Sequence, residues 1–194
     1  MTKDIILHEI LIPSLQELYK VDYDNIRFGA SERNICARLA YHIENKMRWY
    51  DMNNNANDFR HYYADVEYDR MGNGDRKCYE NSEHLPQPMI SDLLIQSRGE
   101  NPNYLAVEMK RKKSYNKRRE DRDRLKALVS SEPVRKELPC VHGTLVGAFI
   151  IYSPDDIKIE VYENVGTHGD NTGVIKMRYD EVQRELVMSE NIRR

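Results

Sequence analysis

Residues 143–152, Gly-Thr-Leu-Val-Gly-Ala-Phe-Ile-Ile-Tyr, carry no charged side chain and are rich in β-branched and aromatic residues. Such a run reads as a strand buried inside a sheet. Upstream, Tyr104–Lys110 (Tyr-Leu-Ala-Val-Glu-Met-Lys) has the same character, and a charged segment with helical character lies between them at 116–130. The stretch linking the two strands is long enough for a crossover with a helix in it. A further short apolar strand is expected in 88–96 (Pro-Met-Ile-Ser-Asp-Leu-Leu-Ile-Gln), joined to 104–110 by a turn over Arg98–Asn103.

The flanking segments extend this pattern. Ile5, Ile6, Ile10, Leu11, Leu15 and Leu18 recur at roughly helical spacing, with Pro13 as a break or kink. Ser31 is placed to cap a helix whose stripe is Ile35, Leu39, Ile43 and Met47, with Cys36 and Ala40 beside it. Residues 51–58 read as a loop, Tyr62–Tyr68 as a strand and Met71–Pro86 as a long polar loop. Residues 157–163 form an alternating strand nearer an edge, Gly166–Gly173 a flexible loop, and about 178–188 an amphipathic helix. The order helix, strand, strand, strand, helix, strand, strand predicts an α/β fold with a mixed central β-sheet flanked by α-helices. A chain of 194 residues suits one well-filled domain.

Charged residues make up 32% of the chain, which points to a highly solvated surface, and the net charge of -2 neither requires nor excludes a polyanionic partner. No segment approaches the ~20 apolar residues of a membrane span. The apolar start is interrupted by His8, Glu9 and Pro13 and lacks a signal peptide's basic flank. Cys36, Cys78 and Cys140 are widely separated, suggesting neither a disulfide framework nor a zinc site. A cytoplasmic protein with reduced thiols is expected, with no membrane partner. The histidines at 42, 61, 84, 142 and 168 have no spacing of a metal cluster or triad, and the glycine-rich 166–173 stretch lacks the Gly-Lys-Ser/Thr ending of a phosphate loop.

Alternation along 104–110 puts Tyr104, Ala106, Glu108 and Lys110 on one face and Leu105, Val107 and Met109 on the other. Asp92 arrives from the preceding strand. Two acids and a lysine meeting at one sheet edge suit a divalent metal and a phosphodiester. Glu32 has two readings: a first-turn acid favoured by the helix dipole, or a third carboxylate delivered to that edge. Lys110 is either a solvated strand-end lysine or a cation beside the acids, able to hold or deprotonate a water and steady charge on phosphorus. The run 110–126 is strongly basic. It is either a solvated face with local ion pairs to Glu120, Asp121 and Asp123, or, as the block suggests, a contact for nucleic acid through Arg111, Lys112, Lys113, Lys117 and Arg118. Tyr115 reads as a packing or interface residue rather than a base-stacking one.

Together, Ile90-Ser91-Asp92 and Val107-Glu108-Met109-Lys110 resemble the PD-(D/E)XK nuclease superfamily with its restriction-endonuclease-like fold. The arrangement is most similar to small bacterial nuclease-like proteins through Glu67-Tyr68-Asp69-Arg70, Lys77, Ser91–Leu94, Ser97-Arg98-Gly99 and Val107–Arg111. The resemblance covers roughly 31–152, leaving an N-terminal helical segment, 1–30, and a C-terminal extension, 153–194. It implies Mg²⁺ or Mn²⁺ held by Asp92, Glu108 and the Met109 carbonyl, with Lys110 activating water and Glu32 an accessory acid. Ser91 stands where the family has proline, and Met109 where Ile or Val is usual. The implied activity is phosphodiester hydrolysis, most simply of DNA, in restriction, repair or defence; the rival is a catalytically silent binding module on the same fold. Many relatives of this fold pair with themselves or with a partner subunit, a role the terminal segments 1–30 and 165–194 could serve.

Overall fold

The computed structural model describes residues 1–67, 78–80, 86–88, 90–97, 102–130, 143–166 and 168–193. The chain opens with α1 (Lys3–Ile5), which passes through a π-helical stretch (Ile6–Leu11) into α2 (Ile12–Val21), followed by α3 (Tyr23–Arg27) and the long α4 (Glu32–Asn54). Pro13 has no N–H and its ring crowds the preceding turn. The backbone meets this by widening rather than breaking: the Ile12 N–H reaches back to the Leu7 carbonyl, and the Ser14 hydroxyl donates to the Ile10 carbonyl at 2.6 Å. Ser31 caps α4 as expected, its hydroxyl accepting the Asn34 N–H at 3.2 Å. The expected stripe of α4 is buried. The helix runs through the first four residues of the loop foreseen at 51–58, to Asn54, and is capped by Asn55, which adopts a left-handed conformation (φ 48°).

Seven strands form one mixed sheet: β1 (Tyr63–Val66), β4 (Leu93–Gln96), β5 (Leu105–Arg111), β6 (Val146–Tyr152), β7 (Asp156–Val165), β8 (His168–Asp180) and β9 (Glu185–Arg193), in the order β1-β4-β5-β6-β7-β8-β9. Only β5 and β6 run parallel, connected through α5 (Arg118–Val129), as the crossover argument requires. Two short strands, β2 (Cys78–Glu80) within the segment read as a polar loop and β3 (Pro86–Pro88) at its end, pair separately, so the strand expected over 88–96 is reduced to β4 at 93–96. Tyr68, Asp69, Arg70, Lys77, His84, Arg98, Gly99, Cys140 and His142 lie outside the described residues.

The sheet has helices on both faces. The larger core packs α2, the π-helical stretch and α4 against Leu93, Ile95, Leu105, Val107, Met109, Ile150 and Ile159. On the opposite face Leu125, Leu128 and Val129 of α5 pack on Leu94, Ala106, Phe149 and Tyr162. The alternation of 105–110 is therefore real, with one correction. Tyr104 precedes β5 and stacks on Tyr62 (centroids 3.8 Å apart) in the larger core, not on the face of Ala106.

Three further expectations change. The 157–163 strand lies between β6 and β8, so it is interior, and β9 forms the edge. The 178–188 helix is instead the β8–β9 hairpin. Tyr179, Val182 and Leu186 have helical spacing, but Tyr179 pairs with Leu186 across the hairpin while Val182 is exposed at its tip. Asp180 Oδ1 makes the turn by accepting the Val182 and Gln183 N–H groups at 2.9 and 3.0 Å. The expected loop at 166–173 is largely strand: Val165 pairs with His168, and Gly169 presses against α5. Both terminal segments are built into the main core through residues such as Ile6, Leu11, Met177 and Leu186. No described helix is long and apolar enough to cross a membrane.

Candidate active site

Antiparallel pairing of Leu93 with Val107 places Asp92, one residue before Leu93, opposite Glu108, one residue after Val107. Asp92 Oδ2 accepts the Met109 N–H at 2.7 Å. Two residues along β5, Lys110 shares the Glu108 face, while Met109 turns into the main core with its sulfur 3.5 Å from Cys36 Sγ. Glu32, in the first turn of α4, reaches round the end of β5: Oε1 accepts the Arg111 N–H at 3.0 Å and Oε2 lies 3.6 Å from Lys110 Nζ. The structure thus brings Glu32, Asp92, Glu108 and Lys110 together.

Helix α5 adds two groups that the sequence reading left as surface charge. Arg124 forks onto Glu108, with Nε 2.6 Å from Oε1 and Nη2 3.1 Å from Oε2, and Nη2 also donates to Asp121 Oδ1 at 2.6 Å. Asp121 Oδ2 is 3.6 Å from Lys110 Nζ, buried, and without a hydrogen-bond partner among the described residues. A signal for this was present in the sequence. Asp121, Leu125 and Leu128 fall at i, i+4 and i+7, so Asp121 occupies the apolar stripe of α5, facing the sheet.

The electrostatics follow from burial. Glu108 is 0% and Asp121 2% exposed. Burial, and then the negative charge of Asp92, push the Glu108 carboxyl up to about 8 despite Arg124. Burial likewise raises Asp92, outweighing the Met109 N–H and the Lys110 charge, and raises Asp121 against the pull of Lys110 and Arg124. Burial alone would lower Lys110, but Asp92, Asp121, Glu32 and Glu108 together hold its ammonium above the ordinary lysine value. Four carboxylates face two cations, Lys110 and Arg124; with the Glu108 proton kept near neutral pH the net charge is −1, and Glu32 sits at the partly exposed rim of the site. Asp121 Oδ2, beside the Lys110 ammonium, adds to a set of hard carboxylate oxygens of the kind that could hold a divalent cation, although no group of three or more His, Cys, Asp or Glu residues placed to hold a metal ion occurs among the described residues.

The basic residues divide. Arg111 Nη2 donates to the Ala30 carbonyl at 2.5 Å, and Arg118 ties down the 111–114 turn through the carbonyls of Lys112 (2.8 Å) and Ser114 (2.7 Å). Lys112 pairs with Asp156 at 2.5 Å. Lys113 and Lys117 are exposed without ion pairs among the described residues, and Lys117 adopts a left-handed conformation just before α5. Tyr115 does not pack: it is 76% exposed, with the Arg118 guanidinium 4.7 Å from its ring centroid. No family model, curated protein or solved structure matches this chain.

Proposed function

We propose that the chain is a metal-dependent nuclease hydrolysing phosphodiester bonds, with DNA the favoured substrate. The observation that carries this is the convergence of Glu32, Asp92, Glu108 and Asp121 on Lys110, with more negative charge than their cations balance. The finer fold reading, a restriction-endonuclease-like core, belongs to the same proposal. It draws support from acids facing each other across the β4–β5 pair, at the end away from the connecting turn, followed by the β5–α5–β6 crossover. In this reading Asp92, Glu108 and the Met109 carbonyl hold Mg²⁺ or Mn²⁺, with Glu32 accessory and Asp121 an added oxygen donor. The bound ion would supply Lewis-acid polarisation of the phosphate and a more acidic bound water. Lys110, kept cationic by its neighbours, orients the attacking water and steadies charge on the phosphoryl oxygens.

Purified protein incubated with plasmid DNA and Mn²⁺ or Mg²⁺ should nick or cleave it. Glu108→Gln or Lys110→Ala should reduce the rate by about 10²-fold or more. Absence of cleavage in all conditions, or cleavage indifferent to both substitutions, would refute the proposal. One observation favours a second reading, a catalytically silent nucleic-acid- or protein-binding module: Arg124 already engages both Glu108 oxygens. That reading expects salt-sensitive DNA binding that survives Asp92→Ala, and no heat of Mn²⁺ binding.

A further inference from the structure

Beyond Lys110, the α5 face of the sheet continues as a basic shelf. The pairing register aligns Lys110 with Ile151, Ile151 with Lys158, and Lys158 with Lys176, one row running across four strands. At about 4.8 Å per strand this row spans roughly 14 Å. Helix α5 begins only at Arg118, so its first turn and Tyr115 wall the shelf without covering it. The result is a groove of about 540 Å³ whose lining includes Lys112, Arg118, Lys158, Lys176 and Arg178, against two acids, Asp155 and Asp156. Arg178 is exposed and has no ion pair among the described residues. Lys112–Asp156 and Lys176–Glu190 are exposed pairs, and Lys158 leans on a buried Glu160 that Arg122 already neutralises, so its ammonium can turn outward. Solvent-exposed pairs of this kind are weak and exchange readily for another anion.

We infer that this shelf binds the sugar-phosphate backbone of a single nucleic-acid strand and feeds it to Lys110, with Tyr115 as a base-stacking platform. The inference rests on the nuclease reading for its direction, not for the binding. A row of about 14 Å is long enough to follow the backbone of a short stretch of strand, and an exposed tyrosine beside cations is a usual means of holding single strands without sequence preference. Two of the cations, Lys176 and Arg178, sit on β8, in the C-terminal extension outside the nuclease resemblance.

Fluorescence anisotropy with labelled 12-nucleotide DNA and RNA strands, in EDTA across a salt series, tests this without catalysis. Lys176→Gln/Arg178→Gln should reduce the magnitude of the log–log salt slope by about 1.4, two contacts at ~0.7 each. Arg178→Lys should retain the wild-type slope. Tyr115→Ala should weaken binding with no change in slope. Comparing the DNA and RNA strands shows which sugar is preferred. Circular dichroism melts check that these exposed variants remain folded. An unchanged slope in the double variant overturns the proposal, as does a poly-glutamate peptide that binds as tightly as the oligonucleotides with no dependence on Tyr115, the mark of an acidic-protein surface. Shelf binding that persists while metal-dependent cleavage is absent leaves this inference standing and removes the nuclease reading.

Discussion

In the metal-free protein, stability should fall as pH rises through the neutral range, and Glu108→Gln should flatten that fall. The buried Glu108 carboxyl sits at about 8, against 4.5 for an ordinary glutamate. A carboxyl whose value is raised on folding keeps its proton in the native state after the unfolded chain has lost it. Between about pH 5.5 and 7.5 the native state therefore holds close to one extra proton, and stability drops by about 1.4 kcal/mol per pH unit. Over that window the loss is about 2.5 kcal/mol. Below the ordinary glutamate value both states are protonated and nothing is lost; above about 8 both are ionised and the full penalty is present. Asp92 and Asp121, also raised, contribute with the same sign in their own windows. Asp22, Asp156 and Glu160 are lowered by their cationic and hydrogen-bonding partners, so their stabilisation is lost only as pH falls through the acid range, outside the window. Urea unfolding followed by far-UV circular dichroism in EDTA gives the slope by linear extrapolation. Wild-type stability that is flat or rises with pH, or a Glu108→Gln slope equal to wild type, would refute the reasoning.

Gly169→Ala should destabilise the fold by at least 1–3 kcal/mol in thermal or urea unfolding, because its Cβ would sit 2.1 Å from the Lys126 carbonyl oxygen and 2.5 Å from Val129 Cγ2. Tyr19→Phe should cost about 1–3 kcal/mol in the same assay, since the buried Tyr19 hydroxyl donates to the Ser153 carbonyl at 2.5 Å. Arg124→Gln should cost about 3–5 kcal/mol in EDTA by stranding two buried carboxylates, and Mn²⁺ at 100 times its dissociation constant should restore about 2.7 kcal/mol. A destabilised variant that Mn²⁺ leaves unchanged would argue that the cluster is not a metal site.

The parts of the fold legible in the sequence were those decided by local chemistry. The Ser31 cap, the α4 stripe and the β5–α5–β6 crossover followed from hydroxyl placement, period 3.6 and apolar strands on either side of a helix. The failures came from pairing, which has no local signature. Residues 178–188 carry a helical period, yet the Asp180 side chain turns the chain and pairs Tyr179 with Leu186. The 166–173 stretch looked flexible for its glycines, yet Gly169 is glycine because α5 approaches too closely for any side chain. Within the site, Asp92, Glu108 and Lys110 were readable from strand alternation. Arg124 has no such signature, because in sequence its helix is a solvated charge run, and only the sheet beneath shows which of those charges are buried.

Arg124 is where the two functional readings divide. A structural ion network tends to balance its charges, because an uncompensated buried carboxylate costs several kcal/mol. Here four acids face only Arg124 and Lys110, and the structure bears the surplus as a Glu108 carboxyl at about 8, which keeps its proton near neutral pH and leaves a net charge of −1, and as an Asp121 oxygen with no hydrogen bond among the described residues, 3.6 Å from the Lys110 ammonium. Three remedies are open to such a site: take up protons, repack, or bind a divalent cation. Proton uptake alone would make the protein weakest near neutral pH and above, with no compensating gain. A resident dication would remove the mutual repulsion of the acids and make Lys110 a cation aimed at a ligand instead of one occupied by its neighbours. The surplus of charge, rather than the presence of any one acid, is therefore what favours the metal reading over the silent one.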